Sequence, residues 1–382
     1  MRTLLSIFLF FPLCLFAQEN PENGVAPSKP MYYLLKNAEV IVSPTKILSK
    51  ASILIKGDKI VEVGSSVSKP AGTVEIDCEG KTIVPAFIEL NAEIGIKKAD
   101  KKPSEWYKPQ PESSKKGSYY WNESIHPEYN ASEGYEQNAE QTKLLESMGF
   151  GFALTHQHDG IARGTGAFVT LGSTPPQNAL VVAQATSHFS LDKGSSHQSY
   201  PSSQMGIIAL LRQTFYDLQW YETQTNVSPN LSLDALKNQL KKPILFETEE
   251  SLEVLRAQKI AEEFNLIFNY VGSGTEYQQL NALKKVKGSI IVPVSFPNAY
   301  EVKDPYLNME IPLSKLKHWE LAPSNPYLLV SNGNSICLSA SKCKTDKEFW
   351  TNVKKAMSRG LSLEHTIAAL TLNPAKVLGV ES

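Results

Sequence analysis

Three stretches of the chain carry residue types that could do chemistry. Lys81 to Ile96 (KTIVPAFIELNAEIGI) reads as a strand whose polar end holds Asn91 and Glu93. Side chains alternate along a strand, so these two share a face and point wherever the strand's mouth opens. Thr155-His156-Gln157-His158-Asp159 ends another strand pattern and sets His156 and His158 on one face in the same way. Two imidazoles and one carboxylate can hold a divalent, zinc-like ion and leave a position open for water. If the two strands are neighbours, the carboxylate is expected to be Glu93. The pair also suits two hydrogen-bonded loop histidines, and both readings stand. The third stretch, ARGTG, offers Arg163, whose planar donor fork could clamp a substrate carboxylate or tie down a loop. His188 and His197 fall in a Ser-rich segment, SHFSLDKGSSHQSYPSS, and are expected to be solvated or part of a lid. His126, His318 and His365 have no partner that the sequence names.

The elements that must position these groups follow from hydrophobic periodicity. Short β-branched runs at Tyr32 to Val42, Ala51 to Lys56, Lys59 to Val63 and Thr73 to Ile76 read as a hairpin-rich β unit, with Gly57-Asp58 at its tight turn. A hydrophilic, aromatic-laced loop occupies about 97–135; it suits a lid or a loop packed by its own aromatics. Strands and helices then alternate. GFGFALTHQHDG, Ala179 to Gln184, KPILFET, LIFNYVG, SIIVPVSF and YLLVSNG read as strands, and Met205 to Tyr221 as an amphipathic helix. About seven or eight such units between Thr82 and Val377 predict an α/β chain with a parallel sheet closed as a (β/α)8 TIM-like barrel. The glycines of GTGAFVTLG lack a dinucleotide-binding context, which excludes that class.

Bulk properties narrow the partners. With 382 residues and a formal net charge of -1, nothing in the charge balance favours nucleic acid or an anionic membrane. Arg2 precedes an apolar run from Leu4 to Phe16, and Leu15-Phe16-Ala17 before Gln18 reads as a cleavage site. That predicts a signal peptide at 1–17, export to a periplasmic or extracellular space, and no membrane span after its removal. Cys14 lacks the small residues expected ahead of a lipidated cysteine. A linker at 18–30, a β-sandwich subdomain at 31–84 and a barrel at 85–380 complete the expected organisation. Cys78, Cys337 and Cys343 form no disulfide framework; a Cys337–Cys343 bridge and small buried thiols are both compatible with the spacing.

Two phrases carry a family resemblance. GKTIVPAFIEL resembles the lead-in to the first barrel strand of the amidohydrolase superfamily, and LSLEHTIAALTLNPAKVLGV resembles its closing helices. The resemblance implies a composite of a small N-terminal β-sandwich and a TIM barrel. It also implies metal-dependent hydrolysis of non-peptide or cyclic carbon–nitrogen bonds. Carried over residue by residue, the family's metal-binding histidine pair corresponds to Asn91 and Glu93, a later histidine to Glu247 and the next to Gly272. Its proton-moving aspartate corresponds to Asn332. The ligand motifs are therefore expected to be degenerate, with Asn332 unable to do acid/base work. Three readings follow: a degenerate barrel, or the N-terminal module of a longer hydrolase with a second amidohydrolase-like module; an active hydrolase with one relocated metal at His156, His158 and Glu93; and a non-catalytic barrel for a small-molecule or short peptide-like ligand. Ordinary activity with Glu93 and Glu247 as unorthodox ligands ranks below these. Family members usually continue past the closing helix with a strand pair, so the sandwich is expected to be incomplete at the C-terminus.

Overall fold

The turn at Gly57, whose positive φ of 61° suits a residue without a Cβ, organises the first sheet. In the computed structural model, which describes residues 31–99, 108–172, 176–301, 303–304, 306 and 309–381, this turn joins β2 (Lys46–Lys56) to β3 (Lys59–Gly64) in an antiparallel hairpin. β1 (Tyr32–Ser43) lies on the other side of β2 and pairs in parallel with β4 (Val74–Asp77) and β5 (Thr82–Ile83). These strands hydrogen-bond as one five-stranded sheet. Ala38, Val40, Ala51, Ile53 and Cys78 form its buried cluster. The expected signal peptide and linker lie outside the described residues, as do Trp106 and Tyr107 of the expected loop.

The chain divides into two compact units, one made of the chain up to Val40 with Leu48–Ile83, the other of Ile41–Ile47 with Val84–Ser382. The second holds an eight-stranded sheet whose strands are hydrogen-bonded in chain order. They are β6 (Phe87–Ala92), β7 (Phe150–Thr155), β8 (Ala162–Thr170), β9 (Leu180–Ser190), β10 (Ile244–Glu247), β11 (Phe268–Val271), β12 (Ile290–Pro293) and β13 (Ile336–Ser339). β6 and β7 run parallel, as do β9 through β13, while β8 is antiparallel to both of its neighbours. An all-parallel sheet was the expectation. The link 156–161 between β7 and β8 is too short for the crossover of about a dozen residues that parallel strands need.

Most strands are buried on both faces, as a helix-covered sheet requires. Ile244 and Phe246 of β10 join the larger apolar cluster with Phe189, Phe215 and Phe268, whereas Leu245 joins a second cluster with Ile88, Leu90, Leu154, Ile291 and Cys337. The period of two extends Leu245's face to Glu247 and Leu154's face to His156. Outside the sheet, the helix Gln204–Thr223, expected over Met205 to Tyr221, buries Ile207, Leu210, Leu211, Phe215 and Leu218 and leaves Tyr221 half-buried. Each such side chain contributes at most about 1.5–3 kcal/mol. Ser203 caps this helix by accepting from the Gly206 amide at 3.2 Å.

Two further sequence expectations are corrected. YLLVSNG was read as a strand but lies within and just beyond the helix Asn325–Ser331, with Pro326 in its first turn; the last strand is Ile336–Ser339. A short apolar run does not by itself distinguish strand from helix. The strand expected at Ala179 to Gln184 extends to Ser190, which takes His188 out of the expected lid and into a buried strand. Cys337 and Cys343 are free, buried thiols, so no bridge joins them. Among the described residues no helix is long and apolar enough to cross a membrane.

Candidate functional site

His156 follows directly on β7, and its amide donates to the Ala92 carbonyl at 3.2 Å, prolonging the pairing with β6. Its side chain is only 2% exposed. The His156 ring stacks on His158 with centroids 4.0 Å apart and on His188 with centroids 3.6 Å apart, so three imidazoles form one column. His188 comes from β9 and is fixed by a 2.7 Å hydrogen bond between its Nε2 and Thr186 Oγ1. Gly166 on β8 leaves the room for this ring, because a Cβ there would overlap His188 Nε2.

Glu247 ends β10 beside this column. Its Oε2 lies 3.3 Å from His158 Nδ1 and also accepts from Arg163 Nη1. Arg163 is 4% exposed, and its Nε donates to the Gly160 carbonyl at 3.0 Å. Donor atoms of His156, His158 and Glu247 all lie within 4.8 Å of one another. A cavity of about 290 Å³ opens beside them, lined in part by His158, Arg163, Ser190, Asp192, Glu247 and Glu253.

The charges follow from burial and neighbours. Burial pushes the His156 imidazole well below the ordinary histidine range, and the adjoining His188, His158 and Arg163 add to the effect. His188 is lowered for the same leading reason, with His158 and Arg163 assisting and Glu247 opposing. Burial pushes the Glu247 carboxyl up, but the His158 hydrogen bond and the Arg163 charge outweigh it and hold the group well below the usual carboxylate range. The resting site is thus neutral His156 and His188 near an ionised Glu247 that Arg163 holds.

The structure brings together some of the expected residues and separates others. His156 and His158 meet, but the carboxylate with them is Glu247; Glu93, the expected third ligand, pairs with Lys98 at 3.3 Å. Asn91 is buried, and its side-chain oxygen has no hydrogen-bond partner among the described residues. Gly272 follows β11, and a Cβ there would stand 2.6 Å from Glu276 Oε1. The fully buried Glu276 carboxylate fills that space, accepting from the Ser273 amide at 2.6 Å and from Asn325 Nδ2 at 2.6 Å. Asn332 stands away from the strand ends. It caps the helix Asn325–Ser331, and its Nδ2 donates to the Leu280 carbonyl and Asn334 Oδ1, both at 2.8 Å. The chain leaving β13 is Ala340-Ser341-Lys342, which holds no carboxylate. Arg163 already spends Nε and Nη1 on protein acceptors, a tying role more than the open fork of a substrate clamp.

Sequence reasoning missed Glu89, Glu276 and the placement of His188. Glu89 on β6 is fully buried and accepts from Ser339 Oγ and the Ala340 amide, both at 2.7 Å, linking the first strand of the sheet to the last. A carboxylate flanked by Ile88 and Leu90 in a buried strand was the available signal. Of the other histidines, His126 Nε2 lies 4.0 Å from Asp159 Oδ2, and His318 Nδ1 lies 3.2 Å from the Tyr277 hydroxyl. His365 Nδ1 lies 2.7 Å from Ser362 Oγ.

Comparison with known proteins places this geometry in context. No family model matches the chain. It is 41% identical over 61 residues to a 5-methylthioadenosine/S-adenosylhomocysteine deaminase of Thermococcus onnurineus (strain NA1), covering 16% of this chain and 14% of that protein. It is 41% identical over 56 residues to a dihydroorotase of Wolbachia sp. subsp. Drosophila simulans (strain wRi), covering 14% of this chain and 13% of that protein. These matches span less than a sixth of either curated relative. Among solved structures, an amidohydrolase from Thermotoga maritima MSB8 superposes with a TM-score of 0.68 at 21% identity, covering 91% of this chain and 89% of that one. The chain shares the fold of that amidohydrolase: a small sheet domain and a large, mostly parallel sheet.

Proposed function

We propose that this chain is an exported amidohydrolase-fold protein that does not build the two-metal hydrolytic centre of its superfamily. In this reading the large sheet closes as a (β/α)8 barrel, and its mouth holds a small-molecule or short peptide-like ligand. The observation that carries the reading is the Arg163–Glu247 pair: a fixed, buried guanidinium neutralises the half-buried carboxylate that stands at a metal-ligand position. The other positions agree with it. Asn91 offers a neutral amide, Glu93 is drawn to Lys98, and Gly272 offers no donor while Glu276 fills its side-chain space. These residues do not fit a two-metal centre, which needs imidazole and carboxylate donors.

Barrel closure is supported by the chain-order pairing of the strands and by the Glu89 link between β6 and β13. Export is supported by Arg2 and the apolar run Leu4 to Phe16. The test is an assay of cyclic amides, acylated amino acids and dipeptides with added zinc or manganese. No metal-dependent turnover is expected; turnover that rises with metal on any of them would sink the reading. For export, sequencing of the secreted protein should find Gln18 as the first residue, and an N-terminus retained at Met1 would count against it.

A further inference from the structure

We infer that His156, His158 and Glu247 take up one divalent transition-metal ion at the edge of the cavity, a single-ion site distinct from the two-metal centre that the chain does not build. Two of the three donors are uncommitted. His156 Nδ1 and His158 Nε2 are buried nitrogens with no hydrogen-bond partner among the described residues. Buried polar atoms of this kind are rare in folded proteins and call for a partner. Glu247 completes the set, with donor atoms of the three residues inside 4.8 Å of one another.

The hydrogen bonding also selects the reactive nitrogen. Glu247 Oε2 receives Arg163 Nη1 and lies 3.3 Å from His158 Nδ1. A carboxylate accepts and does not donate, so the imidazole proton sits on Nδ1 and the lone pair on Nε2. The other carboxylate oxygen, Oε1, has no donor among the described residues. His188 is outside the set, because its Nε2 is already engaged by Thr186 Oγ1 at 2.7 Å. Arg163 opposes a cation, and the carboxylates of Asp192 and Glu253 on the cavity wall offset it. Two imidazoles and one carboxylate favour a zinc-like ion over calcium or magnesium, which prefer all-oxygen shells.

The test uses the mature protein purified without chelator, dialysed against zinc and analysed for bound metal, with cobalt substitution read by visible absorption. About one equivalent of zinc is expected, with a cobalt spectrum of low-coordinate character. His158→Gln should abolish stoichiometric binding. Glu247→Gln should weaken it by about 10–100-fold or more. His158 is half-buried, so His158→Gln should fold, and thermal melting monitored by circular dichroism verifies this. Binding below about 0.1 equivalent in the wild type, or stoichiometry unchanged in both folded variants, overturns the inference. A metal-free result leaves the ligand-binding reading intact, whereas metal-dependent turnover sinks that reading and not this one.

Discussion

Arg163 on β8 reaches across β9 to donate to Glu247 at the end of β10. Sheet register makes this contact: Ala162 pairs with Phe189 on one side of β9, and Ser190 pairs with Glu247 on the other. Arg163 and Glu247 both line the cavity.

Removing Arg163 should leave the half-buried Glu247 carboxylate uncompensated. Glu247 borders the cavity, so the loss is expected at the lower end of the range for buried pairs, about 3 kcal/mol for Arg163→Met. Urea unfolding measures it. A change below about 0.5 kcal/mol would mean that the pair is not structural.

Glu89 predicts an unusual pH dependence. Burial raises its folded pKa, and the hydrogen bonds from Ser339, Asn91 and Ala340 only partly offset this. The native state therefore binds a proton more tightly than the unfolded chain, whose glutamates titrate at about 4.3. The associated stability is full below that value and is lost as pH rises through the raised folded pKa. Glu89→Gln should lack this loss, so the stability difference between variant and wild type should shift in the variant's favour from pH 4 to pH 8. A difference that is flat with pH would refute it.

The buried imidazoles act in the opposite direction. The folded pKa of His188 lies well below its ordinary value, so its stability is present above the unfolded value of about 6.5 and is lost as pH falls below it. Relative to His188→Gln, the wild type should lose stability on acidification from pH 7 to pH 5. Parallel denaturation series at the two pH values test this, and equal losses in both proteins would exclude a buried neutral ring.

Placing a histidine at Gly272, where the family resemblance expects one, should fail. A Cβ there stands 2.6 Å from Glu276 Oε1, and the Gly272 amide is already bonded to the Ile291 carbonyl at 2.8 Å. Gly272→His is expected to lower stability by about 1–3 kcal/mol without gaining metal. Adding Glu276→Ala should relieve the clash but orphan the Ser273 amide and Asn325 side chain. A melting temperature unchanged in Gly272→His would show that Glu276 moves aside freely.

Much of the local structure was legible in the sequence, because it is written in short-range patterns. Gly57-Asp58 between two β-branched runs marked the hairpin, and the spacing of Ile207, Leu210, Leu211, Phe215 and Leu218 marked a helix face. YLLVSNG failed because an apolar run of that length suits either conformation. The antiparallel course of β8 failed because it depends on the shortness of one link between elements.

The two end phrases pointed to the fold that the solved amidohydrolase shares. Which carboxylate faces His156 and His158 was not determined by sequence. Glu93 lies nearer in the chain and just past the end of the adjacent strand β6, whose register with β7 is irregular past Glu89, and it pairs with Lys98. Glu247 arrives instead, aligned with Ser190 by β9–β10 register and anchored by Arg163. Local sequence encodes period and turns, whereas the identity of side chains that meet across four strands depends on register and strand direction summed over the whole sheet.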